Sequence, residues 1–165
     1  MQQYTSKDTS INTVNKVYKS MKCRPGSIIL DYGGGKYDSN RDYMKEKGAS
    51  LYVYDPFNRS KEHNNSVVSF IRNNHGADIV VCSNVLNVIK EEEVISDIVR
   101  NLFACVKTDG KIYIQIYEGN GSGVGEVTKK GYQRHEKTAA YVKYLPPHAV
   151  YAKKGNILII DMNRG

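Results

Sequence analysis

Three stretches of this sequence put acids and amides beside glycines or at the end of apolar runs, where a backbone can be opened to a ligand. The first is Asp31-Tyr32-Gly33-Gly34-Gly35-Lys36-Tyr37-Asp38. Glycines let the chain turn tightly and approach a bound molecule closely. A dinucleotide fingerprint would place glycine at 33, 35 and 38, but position 38 is Asp. With Asp31 on the other side, two carboxylates flank the loop and would repel a pyrophosphate. They suit a ligand that carries an ammonium and a sulfonium, with Asp31 accepting from the ammonium directly or through water. Without a ligand, the stretch is a strand-to-helix turn capped by Asp38.

The second stretch is Tyr54-Asp55-Pro56-Phe57-Asn58. Asp55 follows Gly35 by 20 positions, a separation at which an acid hydrogen-bonds both hydroxyls of a ribose. Phe57 offers a ring on which adenine can stack. Asp55-Pro56 is also a common surface turn, but the glycine loop upstream favours the ribose role. The third stretch is Cys82-Ser83-Asn84-Val85-Leu86-Asn87-Val88-Ile89. Asn84 can offer a carbonyl and an amide at the reacting end of a cofactor. Val85 and Leu86 can line it, and Asn87 can hold the loop. Val85, Leu86 and Val88 are equally readable as core, with both Asn residues as turn formers.

Asp31-x-Gly33-x-Gly35, the acid at Asp55 and the segment from Asp78 to Asn87 together resemble the class I S-adenosylmethionine (SAM)-dependent methyltransferases. The likeness runs from about Ser27 to Tyr117. The strings Tyr54-Asp-Pro-Phe-Asn-Arg59 and Ser83-Asn-Val-Leu-Asn-Val-Ile89 look like small methyltransferase-like proteins of phages and bacterial DNA-modification loci. The resemblance implies SAM as cofactor, held by Asp31 and the Gly33, Gly34 and Gly35 backbone, by Asp55, Pro56 and Phe57, and by Asn84 and Val85. It implies a Rossmann-like, doubly wound α/β fold with a mostly parallel sheet closed by a C-terminal antiparallel hairpin. Two features depart from the family. Tyr37 stands where a third glycine is usual, and no separate strand is evident between Asp55 and Asp78. The acid that reads adenine from that strand is therefore unplaced, with Asp78 as a substitute.

The methyl acceptor is harder to read, because displacement at a sulfonium depends mostly on positioning. Amine methylation in the DNA-enzyme pattern wants Asp/Asn-Pro-Pro-aromatic, whereas Asn84 is followed by Val85-Leu86. Cytosine C5 methylation needs a cysteine nucleophile, and Cys82 sits inside an apolar strand, where a thiol is inert. The insertion over 118–149 carries a glycine run, Gly119 to Gly125, and then a basic and aromatic segment. A helix is expected over Tyr132 to Tyr144, with the glycines as hinge and the helix as lid. Tyr132, Gln133, Arg134 and Lys137 are the substrate candidates, and His135 and Asn84 the catalytic ones. A solvated amphipathic helix is the bland alternative for the same residues. The net charge of +7 makes nucleic acid a candidate partner. The two functional readings are a SAM-dependent methyltransferase and a non-catalytic SAM-binding or interaction module.

These residues need a scaffold, and 165 residues suffice for one SAM-binding domain over 1–165 with its own core. Apolar runs Ile28–Leu30, Leu51–Tyr54, Ala77–Cys82 and Lys111–Tyr117 alternate with helical patterns over about 38–47, 62–74 and 91–106, which predicts a parallel sheet. Val150–Lys153 and Ile157–Met162 flank Lys154-Gly155-Asn156 as a hairpin. A helix after Ser10, with Ile11, Val14, Val17, Tyr18 and Met21 inward, occupies the segment 1–26. The polar start and the lack of a long apolar run predict a cytoplasmic protein without a membrane segment. Three scattered cysteines without Cys-x-x-Cys predict neither disulfides nor a metal site.

Overall fold

A computed structural model describes residues 11–164. Among these residues the strands are β1 Ile28–Tyr32, β2 Ser50–Tyr54, β3 Ala77–Ser83, β4 Val106–Gln115, β5 Glu126–Thr128, β6 Gly131–Gln133, β7 Tyr151–Lys154 and β8 Ile157–Asp161. The α-helices are α1 Lys16–Ser20, α2 Ser39–Glu46, α3 Lys61–Asn73 and α4 Glu92–Cys105. Six strands form one sheet in the order β2-β1-β3-β4-β8-β7, and β5 and β6 pair separately. The β2-β1-β3-β4 part is parallel and β4-β8-β7 antiparallel. The Rossmann-like sheet and its closing hairpin are thus both present.

Successive residues of a strand face opposite sides. In β1, Ile29 joins α1, α2, Met44 and Val53 on one side, while Leu30 joins α3, α4, Val67 and Leu102 on the other. Both faces of the parallel strands are therefore covered, as their continuous apolar runs require. The chain leaves β1 to form β2 on one side and then returns to form β3 on the other. The carboxyl ends of β1 and β3 consequently diverge at a switch point, where ligands of open α/β sheets sit.

Four expectations need correction. The helix read from Ser10 is only α1, Lys16–Ser20; residues 1–10 lie outside the described residues. Ile11 is exposed, because Asn12 and Asn15 bind side chains on α2 and β3 and hold the chain across them. On the helix read over about 62–74, Val67, Val68 and Ile71 have the spacing of one inward face, but Val68 is exposed while Val67 and Ile71 are buried. Asp78 begins β3 at the end remote from the glycine loop, where it accepts from Ile28 N and from Lys107. It is a structural acid, not an adenine reader. The segment Tyr132 to Tyr144 is not one helix: it is β6 followed by a 3₁₀ turn at Thr138–Tyr144. Its Tyr141 and Leu145 are buried in the α3–α4 core.

Candidate active site

Glycines are obligatory in the loop after β1. Gly33 and Gly35 have φ of 81° and 79°, a region that L side chains avoid. A Cβ on Gly33 would lie 2.6 Å from Val85 Cγ2, and one on Gly34 2.6 Å from Asp31 Cγ. Tyr37 does not spoil the turn, so the absence of a third glycine is tolerated. Asp38 sits at the N-terminus of α2, but its carboxylate binds Arg59 at 2.8 Å instead of capping the helix.

Asp31 ends β1 with its carboxylate against Gly34, 1 % exposed. Among the described residues its one hydrogen-bond contact within 3.5 Å is a long one, 3.4 Å from Asn40 Nδ2. The fully buried Tyr18 hydroxyl faces it, yet finds no partner of good geometry. Burial pushes the Asp31 carboxyl up to about 6, against the pull of Tyr18 and Asn40. A buried carboxylate without a cation is costly, and here it stands at the spot where the sequence expects an ammonium.

Asp55 lies at the end of β2 and is equally buried. Its carboxylate accepts from Gly35 N at 2.9 Å, from Phe57 N at 2.9 Å, and from the backbone and side-chain nitrogens of Asn58 at 3.1 and 2.9 Å. It thus fastens the glycine loop to the following turn. Arg59 adds a second clasp, donating to the carbonyls of Gly35 and Tyr37 at 2.9 and 3.0 Å. Asn64 grips the Asp55 backbone from both sides. Neither Arg59 nor Asn64 had a role assigned by sequence reasoning. A buried Asn on a helix gives no local signal of a partner nine residues upstream, nor does an Arg four residues after an acid signal partners 21 to 24 residues upstream.

Tyr32, Gly33, Asp55, Pro56, Phe57, Val85 and Val88, together with Val94 and Ile98 of α4, line a cavity of about 200 Å³. Of the expected cofactor residues, Gly33, Asp55, Pro56, Phe57 and Val85 meet in this pocket, while Asp31, Gly34 and Gly35 do not line it. Asn84 stands outside that lining but beside it, in a left-handed conformation with φ of 58°. Its Oδ1 accepts from Gln115 Nε2 at 3.3 Å, and Gln115 Oε1 in turn accepts from Val17 N at 2.9 Å. Asn15 donates to Ser83 Oγ at 2.7 Å. The chain before α1 thus crosses the carboxyl ends of β3 and β4 and roofs that end of the site.

The insertion candidates are placed differently from the expectation. Arg134 is buried; it donates to the carbonyls of Ile89 and Lys90 at 3.0 and 2.9 Å and to Glu136 at 2.9 Å. It clamps the loop after β3 from behind. Gln133 Oε1 accepts from Asn87 Nδ2 at 3.4 Å. Tyr132 folds its hydroxyl against Gly125, and Lys90 approaches its ring. Both ring nitrogens of His135 are engaged: Nδ1 accepts from Asn120 N and Nε2 meets Glu126 Oε1 at 2.7 Å. That pattern fixes one neutral tautomer and leaves no ring nitrogen for a substrate proton. The glycine run is threaded over this imidazole, with Gly123 N donating to the His135 carbonyl. Of the four substrate candidates, only Lys137 is exposed.

The profile of a methyltransferase-domain family matches residues 13–150. The chain belongs to that family. Its donor and cofactor is SAM, and the protein is a SAM-dependent methyltransferase. No curated protein sequence matches the chain significantly. Among solved structures, a Burkholderia thailandensis 1,6-didemethyltoxoflavin-N1-methyltransferase with bound S-adenosylhomocysteine superposes with a TM-score of 0.57 at 14% identity, over 82% of this chain and 70% of that one. A SAM-dependent methyltransferase from Aquifex aeolicus gives 0.54 at 13% identity, over 88% and 86%. A Rhodobacter sphaeroides protein assigned to the Zn-dependent alcohol dehydrogenases gives 0.51 at 12%, over 87% and 85%. At such identities the likeness speaks for the fold alone, and one fold hosts several chemistries.

Proposed function

We propose that this methyltransferase holds SAM between the Gly33–Gly35 loop and the loop after β3, and that its acceptor is a nucleic acid. The observation that carries the donor site is the buried Asp31 carboxylate, packed on Gly34 and without an ion-pair partner among the described residues. Bound there, SAM supplies an electrophilic methyl on a sulfonium. Asp31 takes the ammonium, Asp55 takes the ribose by exchanging its bond from the Asn58 side chain, and Phe57 and Val85 flank the adenine. Asn84 and the Asn15–Ser83 pair orient the acceptor at the carboxyl ends of β3 and β4. The site needs no strong base, since alignment supplies most of the rate.

Support for a nucleic-acid acceptor comes from the charge of +7 and from the resemblance to DNA-modification-locus proteins. Calorimetry with S-adenosylhomocysteine tests the donor site, and a folded protein that does not bind it overturns the proposal. Transfer of labelled methyl from SAM into single-stranded DNA, RNA, protein and metabolite pools tests the acceptor. Label confined to protein or metabolites sinks the nucleic-acid part only.

A further inference from the structure

Among the described residues, α1 is the one helix on this side of β4, β8 and β7, where it packs on Tyr113 and Ile157 and leaves the rest of the face open. The core of α3, α4 and the 3₁₀ turn at Thr138–Tyr144 lies on the opposite face. The result is a groove of about 640 Å³ between α1 and the hairpin. Its apolar floor is made of Tyr113 and Ile157, nearly buried beside α1, and of the more open Ile159 and Ala152. The groove takes in four lysines, Lys16 and Lys22 from the α1 side and Lys111 and Lys154 from the strands. All four are exposed, and none is ion-paired with a carboxylate among the described residues. Asp161, opposite Lys111 in the strand register, is the one acid in the lining.

We infer that this groove binds a segment of single-stranded nucleic acid, with phosphates on the lysines and bases against the apolar floor. The proposal rests on the nucleic-acid part of the function above and not on the donor site. The spacing of the cations argues for a polymer. Lys111 pairs with Asp161 and Lys154 with Ile157, so they stand four residues apart along β8 and on either side of it. Strand geometry makes that about 13 Å along and about 10 Å across, a separation that suits successive phosphates of one chain. Lysine ammonium groups are point charges that suit phosphate oxygens, whereas carboxylate recognition favours the arginine fork; the groove lining holds no arginine. An apolar floor beneath a cationic rim is the arrangement that binds unpaired bases without reading sequence. The groove also leads to the site: Lys16 lies between Asn15, which binds Ser83, and Val17, which binds Gln115. A strand in the groove therefore reaches the carboxyl ends of β3 and β4, where the acceptor must be.

Fluorescence anisotropy of a labelled twelve-nucleotide oligothymidylate, and of its RNA equivalent, titrated with the full chain tests this. Binding is expected, with log K falling against log salt at a slope of about −3, since each phosphate on a single strand contributes about −0.7. Lys22→Gln with Lys154→Gln should weaken binding at least tenfold and make the slope shallower by about 1.4. S-adenosylhomocysteine affinity should stay unchanged, which shows that the fold and donor site survive. Unaltered nucleic-acid binding in that variant overturns the proposal. So does equal affinity for polyglutamate, which would mark a site for acidic protein. Loss of binding confined to Lys129→Gln with Lys130→Gln would move the contact to the β5–β6 hairpin and overturn it as well.

Discussion

Asp31 stands between two demands. Burial favours its protonated form, while a ligand ammonium needs the carboxylate. Its carboxyl is raised from 3.8 to about 6, so the folded chain holds this proton more tightly than the unfolded one. The stability that Asp31 contributes is therefore full below about pH 4 and is lost as pH rises through about 6, a change of about 3 kcal/mol. Ligand affinity runs the other way. Below about pH 6 a proton competes with the ammonium, so S-adenosylhomocysteine affinity should drop by up to tenfold per pH unit. Calorimetry from pH 5 to 8 checks this. Asp31→Asn should flatten the profile, lower affinity at pH 7.5 at least tenfold and leave the melting temperature unchanged or higher. A profile that keeps its slope in Asp31→Asn assigns the effect to another group. Asp55 has a different role, because its carboxylate already accepts from four donors. Asp55→Ala strands buried N–H groups of the glycine loop and the turn after β2. It should cost about 1–3 kcal/mol in both ligand affinity and unfolding free energy. Lost affinity with unchanged stability would make Asp55 a ligand contact alone.

At the scale of elements, the sequence showed what local patterning controls. The apolar runs of β1, β2 and β3, the acids opening α4 and the Gly155 turn between β7 and β8 all appear where expected. So do the two acids, because Asp31 and Asp55 sit at strand ends that the continuous apolar runs already mark. What stayed hidden depends on distant partners. Residues 132–144 have helical spacing, but Arg134 finds two carbonyls on the loop after β3, and the strand pair β5–β6 forms because His135 and Tyr132 collect the glycines. Tertiary contacts override the local period there. The same contacts change the expected mutant phenotype. Arg134→Ala empties a buried clamp and frees the Ile89 and Lys90 carbonyls, so it should destabilise the chain by about 1–3 kcal/mol. It should also weaken S-adenosylhomocysteine binding, since Val85 and Val88 of the clamped loop line the proposed cofactor cavity. Lys137→Ala, on the exposed side of the insertion, should leave both within about 0.5 kcal/mol. Denaturant midpoints and calorimetry on the two variants decide between clamp and lid. An Arg134→Ala protein with intact ligand binding and reduced methyl transfer would restore the lid.

For the molecule as a whole, the chain passes from β2 to β3 through α3 alone, which leaves β2 as a sheet edge. The space between α3 and α4 is consequently open. It is a cleft of about 530 Å³, lined by Val67, Val68, Ile71, Ala104 and Cys105, with Tyr32 and Tyr54 stacked at 4.9 Å below it. Tyr32 also lines the proposed cofactor cavity, so cleft and cavity share one wall. If the cleft is only a packing gap left by the short β2-to-β3 connection, apolar atoms added there should stabilise the protein and leave the ligand untouched. Ala104→Leu adds such atoms from α4 without altering any hydrogen bond. Partial burial of the new side chain should raise stability by about 1 kcal/mol. The thermal midpoint would rise by a few degrees, with S-adenosylhomocysteine affinity unchanged. A stabilised variant with weakened ligand binding would show instead that pressure on Tyr32 reaches the adenine side. The cleft would then be coupled to the cofactor site through that shared ring.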